Sequence, residues 1–232
     1  MPAPRVILLD IDGTLLHCGG AGRRSLELAL ADRCGPLDGR LASLRLDGMT
    51  DRLIVREALA LLAHPFTETA CDEVLAAYLV HLRREIHGPG YRVLPGVEPL
   101  LGRLAEAGTA HGLCTGNIAD GALLKLARGG LDVWFDWGER AIRGFADDGE
   151  ARERLVAAAV ARATRHLPDL APAEVLVVGD TPRDVAAAHA VGCRALGVAT
   201  GHYDQAALAA CGADAVAGSL EAPAALAAIL GG

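Results

Sequence analysis

The hexapeptide Asp10-Ile11-Asp12-Gly13-Thr14-Leu15 follows directly on the apolar run Val6-Ile7-Leu8-Leu9. An apolar run ending at a turn signal reads as a strand buried on both faces, with the two carboxylates at its carboxyl end. Ligands bind at that end in an open α/β sheet, and Gly13 lets the chain turn sharply away. Carboxylates this close repel each other unless a cation neutralises them, and hard oxygen donors favour magnesium. The bland alternative is an Asx-type turn closing a strand. The rest of the chain must decide between the two.

Two more apolar runs end in polar turns. Leu113-Cys114 leads into Thr115-Gly116-Asn117. Thr115 either caps the following helix or turns its hydroxyl to a ligand. Backbone N–H groups at a helix start form an anion site, and Gly116 permits close approach. Val177-Val178 leads into Gly179-Asp180-Thr181-Pro182-Arg183-Asp184. Proline at the first turn opens a helix, with Asp180 and Asp184 either facing the strand-end crevice or serving the cap and the dipole. Three strands ending in acids or hydroxyls at one edge carry more weight than any one of them.

The elements that position these groups follow from hydrophobic periodicity. Apolar, β-rich runs occur at 6–9, 110–114, 175–178 and 195–199, with a weaker one near 215–217. Amphipathic helical stretches span 96–107, 118–128, 150–166, 182–191 and 204–211. Strands alternating with helices predict a Rossmann-like, doubly wound parallel sheet. Residues 16–94 contain no convincing strand and read as helices at about 21–33, 51–63 and 67–86, separated by Gly and Pro breakers. The expected organisation is an α/β core of residues 1–15 and 95–232, with a helical module, 16–94, inserted after the first strand.

Composition narrows the function classes. The chain has 232 residues, 52% of them hydrophobic, and a formal net charge of −7. That length and apolar content suit a large buried core, and the negative charge argues against a general nucleic-acid binder. No run reaches membrane-spanning length and no signal-type segment opens the chain, so a cytoplasmic protein is expected, as monomer or homodimer. The six cysteines are scattered without zinc spacing and are expected to be reduced thiols. The 22 lysines and arginines include a single lysine, Lys125.

Asp10 to Thr14, Thr115, and Gly179-Asp180 with Asp184, taken in that order, resemble the motifs of the haloacid dehalogenase superfamily in its phosphatase branch. The helical insertion looks like the cap of its phosphoglycolate phosphatase and β-phosphoglucomutase relatives. The resemblance implies a nucleophilic Asp10, an acid/base Asp12, and phosphoryl contacts from Thr115, Gly116 and Asn117. It also implies Mg²⁺ held by the Asp10 carboxylate, the Asp12 carbonyl and Asp180, with Asp184 bound directly or through a neighbour. The implied activity is hydrolysis of a small phosphorylated metabolite, phosphoglycolate or a sugar phosphate, through an aspartyl phosphate.

The chain departs from that family at the third motif. A lysine is usual there, but Asp147-Asp148-Gly149-Glu150-Ala151-Arg152 contains none. Arg152 offers the charge with a bidentate grip. Lys125 is the rival, although a rise of about 1.5 Å per residue carries it more than ~10 Å along its helix. The balance tips slightly to Arg152. Arg23, Arg24 and the segment Gly48-Met49-Thr50-Asp51-Arg52 are candidate substrate contacts, each more readily read as a cap or a solvated charge. A phosphomutase shares every core residue. A 2-haloacid dehalogenase would not need Asp12, phosphonatase chemistry needs a module lysine that is absent, and a catalytically weak binding protein on the same scaffold is the non-enzymatic alternative.

Overall fold

The computed structural model describes residues 3–231. The chain runs β1 (Val6–Leu9), β2 (Leu16–Cys18), α1 (Ala21–Cys34), α2 (Asp51–Leu61), α3 (Glu68–Glu85), β3 (Tyr91–Val93), α4 (Val97–Glu106), β4 (Ala110–Cys114) and α5 (Ala119–Arg128). It continues β5 (Arg143–Gly144), α6 (Arg152–Ala163), β6 (Val175–Gly179), α7 (Pro182–Ala190), β7 (Arg194–Val198), α8 (Gln205–Ala210), β8 (Ala215–Ala217) and α9 (Pro223–Leu230). Six strands form one parallel sheet in the order β5-β4-β1-β6-β7-β8. The chain leaves β1 for one side of the sheet and later crosses to the other. The order therefore reverses at β1, and a crevice opens beyond its carboxyl end.

All four β1 residues are fully buried. Alternation along the strand sends Ile7 and Leu9 into the core that holds α4 and α9. Val6 and Leu8 join the opposite core with Leu155, Val156 and Ala159 of α6. Leu9 pairs with Leu113 of β4 and with Val178 of β6. That register brings Asp10, Thr115 and Asp180 to the same edge.

The doubly wound α/β reading holds. The expectation that 16–94 lacks strands does not: Leu16 pairs with Val93 and Cys18 with Tyr91 in an antiparallel ribbon. Each strand is three residues long, too short to impose a period on the sequence, and pairing of distant segments creates it. The two-residue strand β5 and the helix α9 are also additions to the sequence reading. Threonine caps hold α2 and α3 in place, with Thr50 accepting from Leu53 N–H and Thr67 from Ala70 N–H. The ribbon brings together the two ends of the segment that carries α1, α2 and α3.

Candidate active site

Asp10 stands one residue past β1, only 4% exposed, and its N–H donates to the Val178 carbonyl. Arg152, in the first turn of α6, places Nη2 3.1 Å from Asp10 Oδ2 and 2.5 Å from Asp184 Oδ1. Its Nε donates to the same Asp184 oxygen at 2.8 Å, and its Nη1 to the Gly48 carbonyl at 3.2 Å. Burial pushes the Asp10 carboxyl up to about 6, against the pull of Arg152 and a hydrogen bond from Thr115. Asp180 rises to about 9, through burial first and then through Asp10 and Asp184. These acids crowd one another in a dry site, which is the electrostatic signature of a place built for added positive charge.

Asp12 faces a different cation. Lys125 Nζ donates to Asp12 Oδ2 at 2.6 Å and to Asn117 Oδ1 at 2.5 Å, and Asn117 Nδ2 donates to Asp12 Oδ2 and to Thr115 Oγ1, each at 2.8 Å. Burial opposes the charge on Asp12, but Lys125 outweighs it and holds the carboxyl below its ordinary range. Lys125 in turn stays firmly protonated: burial opposes its charge, and Asp12 more than compensates. Both rival cations therefore stand at the sheet edge, Arg152 on Asp10 and Lys125 on Asp12. The distance argument against Lys125 is corrected. A helical side chain leans toward the amino end of its helix, and the turn before α5 folds Asn117 back to meet it.

Of the two readings of Thr115, the helix cap drops out. Ile118, not Thr115, occupies the cap position of α5. The first N–H groups there are already taken, Ile118 N–H by Asp51 Oδ2 and Ala119 N–H by Asp147 Oδ2. The close neighbour that Gly116 admits is the Met49 carbonyl, which an added Cβ would meet at 2.2 Å. Of the module residues, Thr50 caps α2, Arg52 pairs with Glu68 and Asp72, and Arg24 pairs with Glu85.

Further groups complete the site: Thr14 closes the first motif, whereas Thr200, Gly201 and Cys18 lie outside every motif. Thr14 Oγ1 donates to Asp180 Oδ1 at 3.4 Å, and Thr200 Oγ1 donates to the Gly13 carbonyl at 2.5 Å. Gly201 lies so close to Asp180 that a Cβ there would meet Oδ2 at 1.7 Å. Cys18 Sγ reaches Asp12 Oδ1 at 3.4 Å, and burial pushes this thiol well up, leaving it unreactive. All six cysteines are unbridged. Thr200 and Gly201 follow β7, whose polar end was open to inspection in the sequence.

One oxygen from each of Asp10, Asp180 and Asp184 lies within 4.8 Å of the others, and all three residues are buried. This all-carboxylate donor set fits a hard divalent ion. The three are not equivalent. Arg152 takes Oδ1 of Asp184, and Thr181 takes its Oδ2 through N–H at 3.0 Å and Oγ1 at 2.7 Å. Both oxygens of Asp184 are committed, whereas Asp10 meets Arg152 and Thr115, and Asp180 takes Thr14 on Oδ1. A cavity of about 750 Å³ opens over Asp10, Asp12, Thr115, Asn117, Lys125 and Asp180. Among the described residues no helix is long and apolar enough to cross a membrane.

Comparison with known proteins agrees with this geometry. A family model for haloacid dehalogenase-like hydrolases matches residues 4–192. Phosphoglycolate phosphatase of Rhodospirillum rubrum is 32% identical over 92% of this chain and 86% of its own. The crystal structure of a hydrolase from Pseudomonas syringae superposes with a TM-score of 0.72 at 24% identity, covering 95% of each chain. CbbY from Rhodobacter sphaeroides, solved in complex with phosphate, superposes with a TM-score of 0.69 at 17% identity, over 96% of this chain and 99% of its own.

Proposed function

The chain belongs to the haloacid dehalogenase-like hydrolases, and on that premise we propose that it is a Mg²⁺-dependent phosphatase of small phosphorylated metabolites, acting through an aspartyl phosphate. The observation that carries this reading is the buried Asp10 carboxylate at the reversal point of the sheet, gripped by Arg152 and open to the cavity. Asp10 attacks phosphorus in line with the leaving oxygen. Arg152 orients that carboxylate and offsets the negative charge gathered around it. Thr115 and the N–H groups of Gly116 and Asn117 supply donors for the phosphoryl oxygens.

Asp12 protonates the departing alkoxide and then takes a proton from the water that cleaves the aspartyl phosphate. Lys125 holds Asp12 ionised, which suits the second step directly. For the first step the proton arrives on a monoanionic ester, passes from the phosphoryl group to the Asp12 carboxylate, and goes from there to the departing alkoxide. Asp10, Asp180 and the Asp12 carbonyl would hold the ion, and Asp184, tied to Arg152 and Thr181, would position them. When bound, Mg²⁺ neutralises the crowded acids and polarises a phosphoryl oxygen. The α1–α3 module closes the cavity from above as a cap. The proposed setting is cytoplasmic.

Release of inorganic phosphate from an aryl phosphate, measured with Mg²⁺, with excess chelator and with Asp10→Asn, tests the reading. Turnover should vanish in the last two conditions. Full activity in excess chelator, or in the Asn variant, sinks it.

A further inference from the structure

The cavity is larger than the catalytic groups and a two-carbon leaving group require. Its volume of about 750 Å³ falls in the range of sites that enclose drug-sized ligands, roughly 300–1,000 Å³. Its far wall, supplied by the α1–α3 module and the loop before α2, is apolar. Leu26, Leu44, Ile54, Leu75 and Tyr78 all line it. The four aliphatic side chains are buried in the module core and offer the space carbon surface, and Tyr78 adds its ring with a single hydroxyl. A small, fully polar leaving group would leave this wall facing water.

The same cavity carries positive charge away from the acids. Arg45, on the loop before α2, and Arg92, in β3, both line it. Among the described residues neither makes a hydrogen bond or an ion pair with any other side chain. Arg23 lines the cavity too but is spent on the Leu41 and Leu44 carbonyls and on Glu27. Arg92 pairs across the ribbon with His17, another lining residue. His17 Nε2 meets the Thr200 carbonyl at 3.0 Å, two residues before His202, and burial, then Arg92, hold its imidazole below the ordinary range. The Asp47–His202 contact at 2.5 Å fastens the Arg45 loop beside this group. Arg45 and Arg92 are both exposed, and their place on the cavity wall sets them apart from other exposed arginines of the chain. Two unspent guanidinium forks in one cavity are suited to an anion, which they can bind bidentately.

We infer that the substrate is a phosphomonoester whose leaving group has an extended apolar segment and ends in a second anionic group, a carboxylate or a phosphate, held by Arg45 and Arg92. The phosphoryl end lies on Asp10, the carbon segment lies along the leucine wall, and the distal anion meets the arginines. This deepens the phosphatase reading and rests on it.

Four esters test it with the full chain and Mg²⁺: 2-phosphoglycolate, hexyl phosphate, 6-(phosphonooxy)hexanoate and hexane-1,6-diyl bisphosphate. Each buried methylene is worth roughly three- to fourfold in kcat/KM, and a paired distal anion about tenfold. One of the two doubly anionic six-carbon esters should therefore exceed both phosphoglycolate and hexyl phosphate by at least about tenfold, and which one leads identifies the anion. In Arg45→Gln with Arg92→Gln, the advantage over hexyl phosphate should collapse to within about threefold. The inference is overturned if phosphoglycolate is the best of the four, if hexyl phosphate matches its acidic analogues, or if the advantage survives in the double variant. Should none of the four nor an aryl phosphate be hydrolysed, the phosphatase reading itself fails, and the inference with it.

Discussion

Arg152 and Lys125 divide the acids of the site between them, and the division predicts different failures. Arg152 is buried against two buried carboxylates. Arg152→Gln leaves both unpaired and should cost about 3–5 kcal/mol of stability, together with at least about a hundredfold in kcat. Arg152→Lys keeps the charge but not the fork, so thermal stability should return further than activity. Lys125 faces a carboxylate that water can still reach. Lys125→Gln should lower kcat by about ten- to a hundredfold with a small loss of stability. It should also move the pH profile. Lys125 holds Asp12 below its ordinary range, so its removal raises the Asp12 pKa. The ionised base is then lost at a higher pH as solution is acidified, and the acid limb of kcat/KM shifts upward. An unmoved limb would mean that Lys125 does not govern Asp12. Sequence pointed to both cations but could not assign them, because the assignment depends on how the turn at 115–118 folds Asn117 toward α5.

Elements transmit these constraints through short loops. Arg152 enters α6 from a loop held by Asp148, which takes Arg162 through both oxygens at 2.7 and 2.8 Å and accepts Phe145 N–H at 3.0 Å. Burial opposes the charge on Asp148, and Arg162 together with that N–H outweighs it, leaving the carboxyl below its ordinary range. A carboxyl depressed in the folded state adds stability above its unfolded pKa, about 3.9, and loses it as pH falls through the folded value. Asp148→Asn should therefore lower Tm by a few degrees near neutrality, with the gap from wild type closing below about pH 4. A gap that persists in acid would assign the effect to packing. After β7, Gly201→Ala should displace Asp180, whose Oδ2 an added Cβ meets at 1.7 Å. Mg²⁺ titration of activity should then need at least about tenfold more ion. Elements such as β1, β4 and β6 were legible because buried parallel strands are written as unbroken apolar runs. The strands β2, β3 and β5, two or three residues long, exist through their partners and leave no period to read. Gly201 escaped notice for a related reason, since its role is to lack a side chain beside a distant carboxylate.

At the scale of the molecule, sequence pointed to the family and to an inserted module, through three strand-end motifs and a change from alternating elements to helices alone. It was silent on how the module is seated, because the seat is made largely of backbone. Asp51 N–H donates to the Gly116 carbonyl at 2.7 Å, Thr50 Oγ1 to the Glu150 carbonyl at 2.8 Å, and Arg152 to the Gly48 carbonyl. Any residue offers a carbonyl, so composition cannot mark which ones are used. Ion pairs of Arg56 with Glu150 and of Asp47 with His202, and the Cys18 contact with Asp12, add side-chain pairs across the seam. Gly48 is the sensitive point. Its φ is +64°, and a Cβ there would meet Thr181 Oγ1 at 2.4 Å and Arg183 Cβ at 3.0 Å. Gly48→Ala must lift the segment from its seat, and it withdraws the carbonyl that steadies Arg152. Opening of the seam exposes the Asp51 and Ile118 N–H groups together, since both bonds join the same two surfaces. Hydrogen exchange at these two amides should accelerate in step, about tenfold for each 1.4 kcal/mol lost from the seam, while the β1 amides keep their protection. Equal acceleration in β1 would signify global destabilisation. Unchanged exchange at Asp51 and Ile118 would show that the seat does not depend on Gly48.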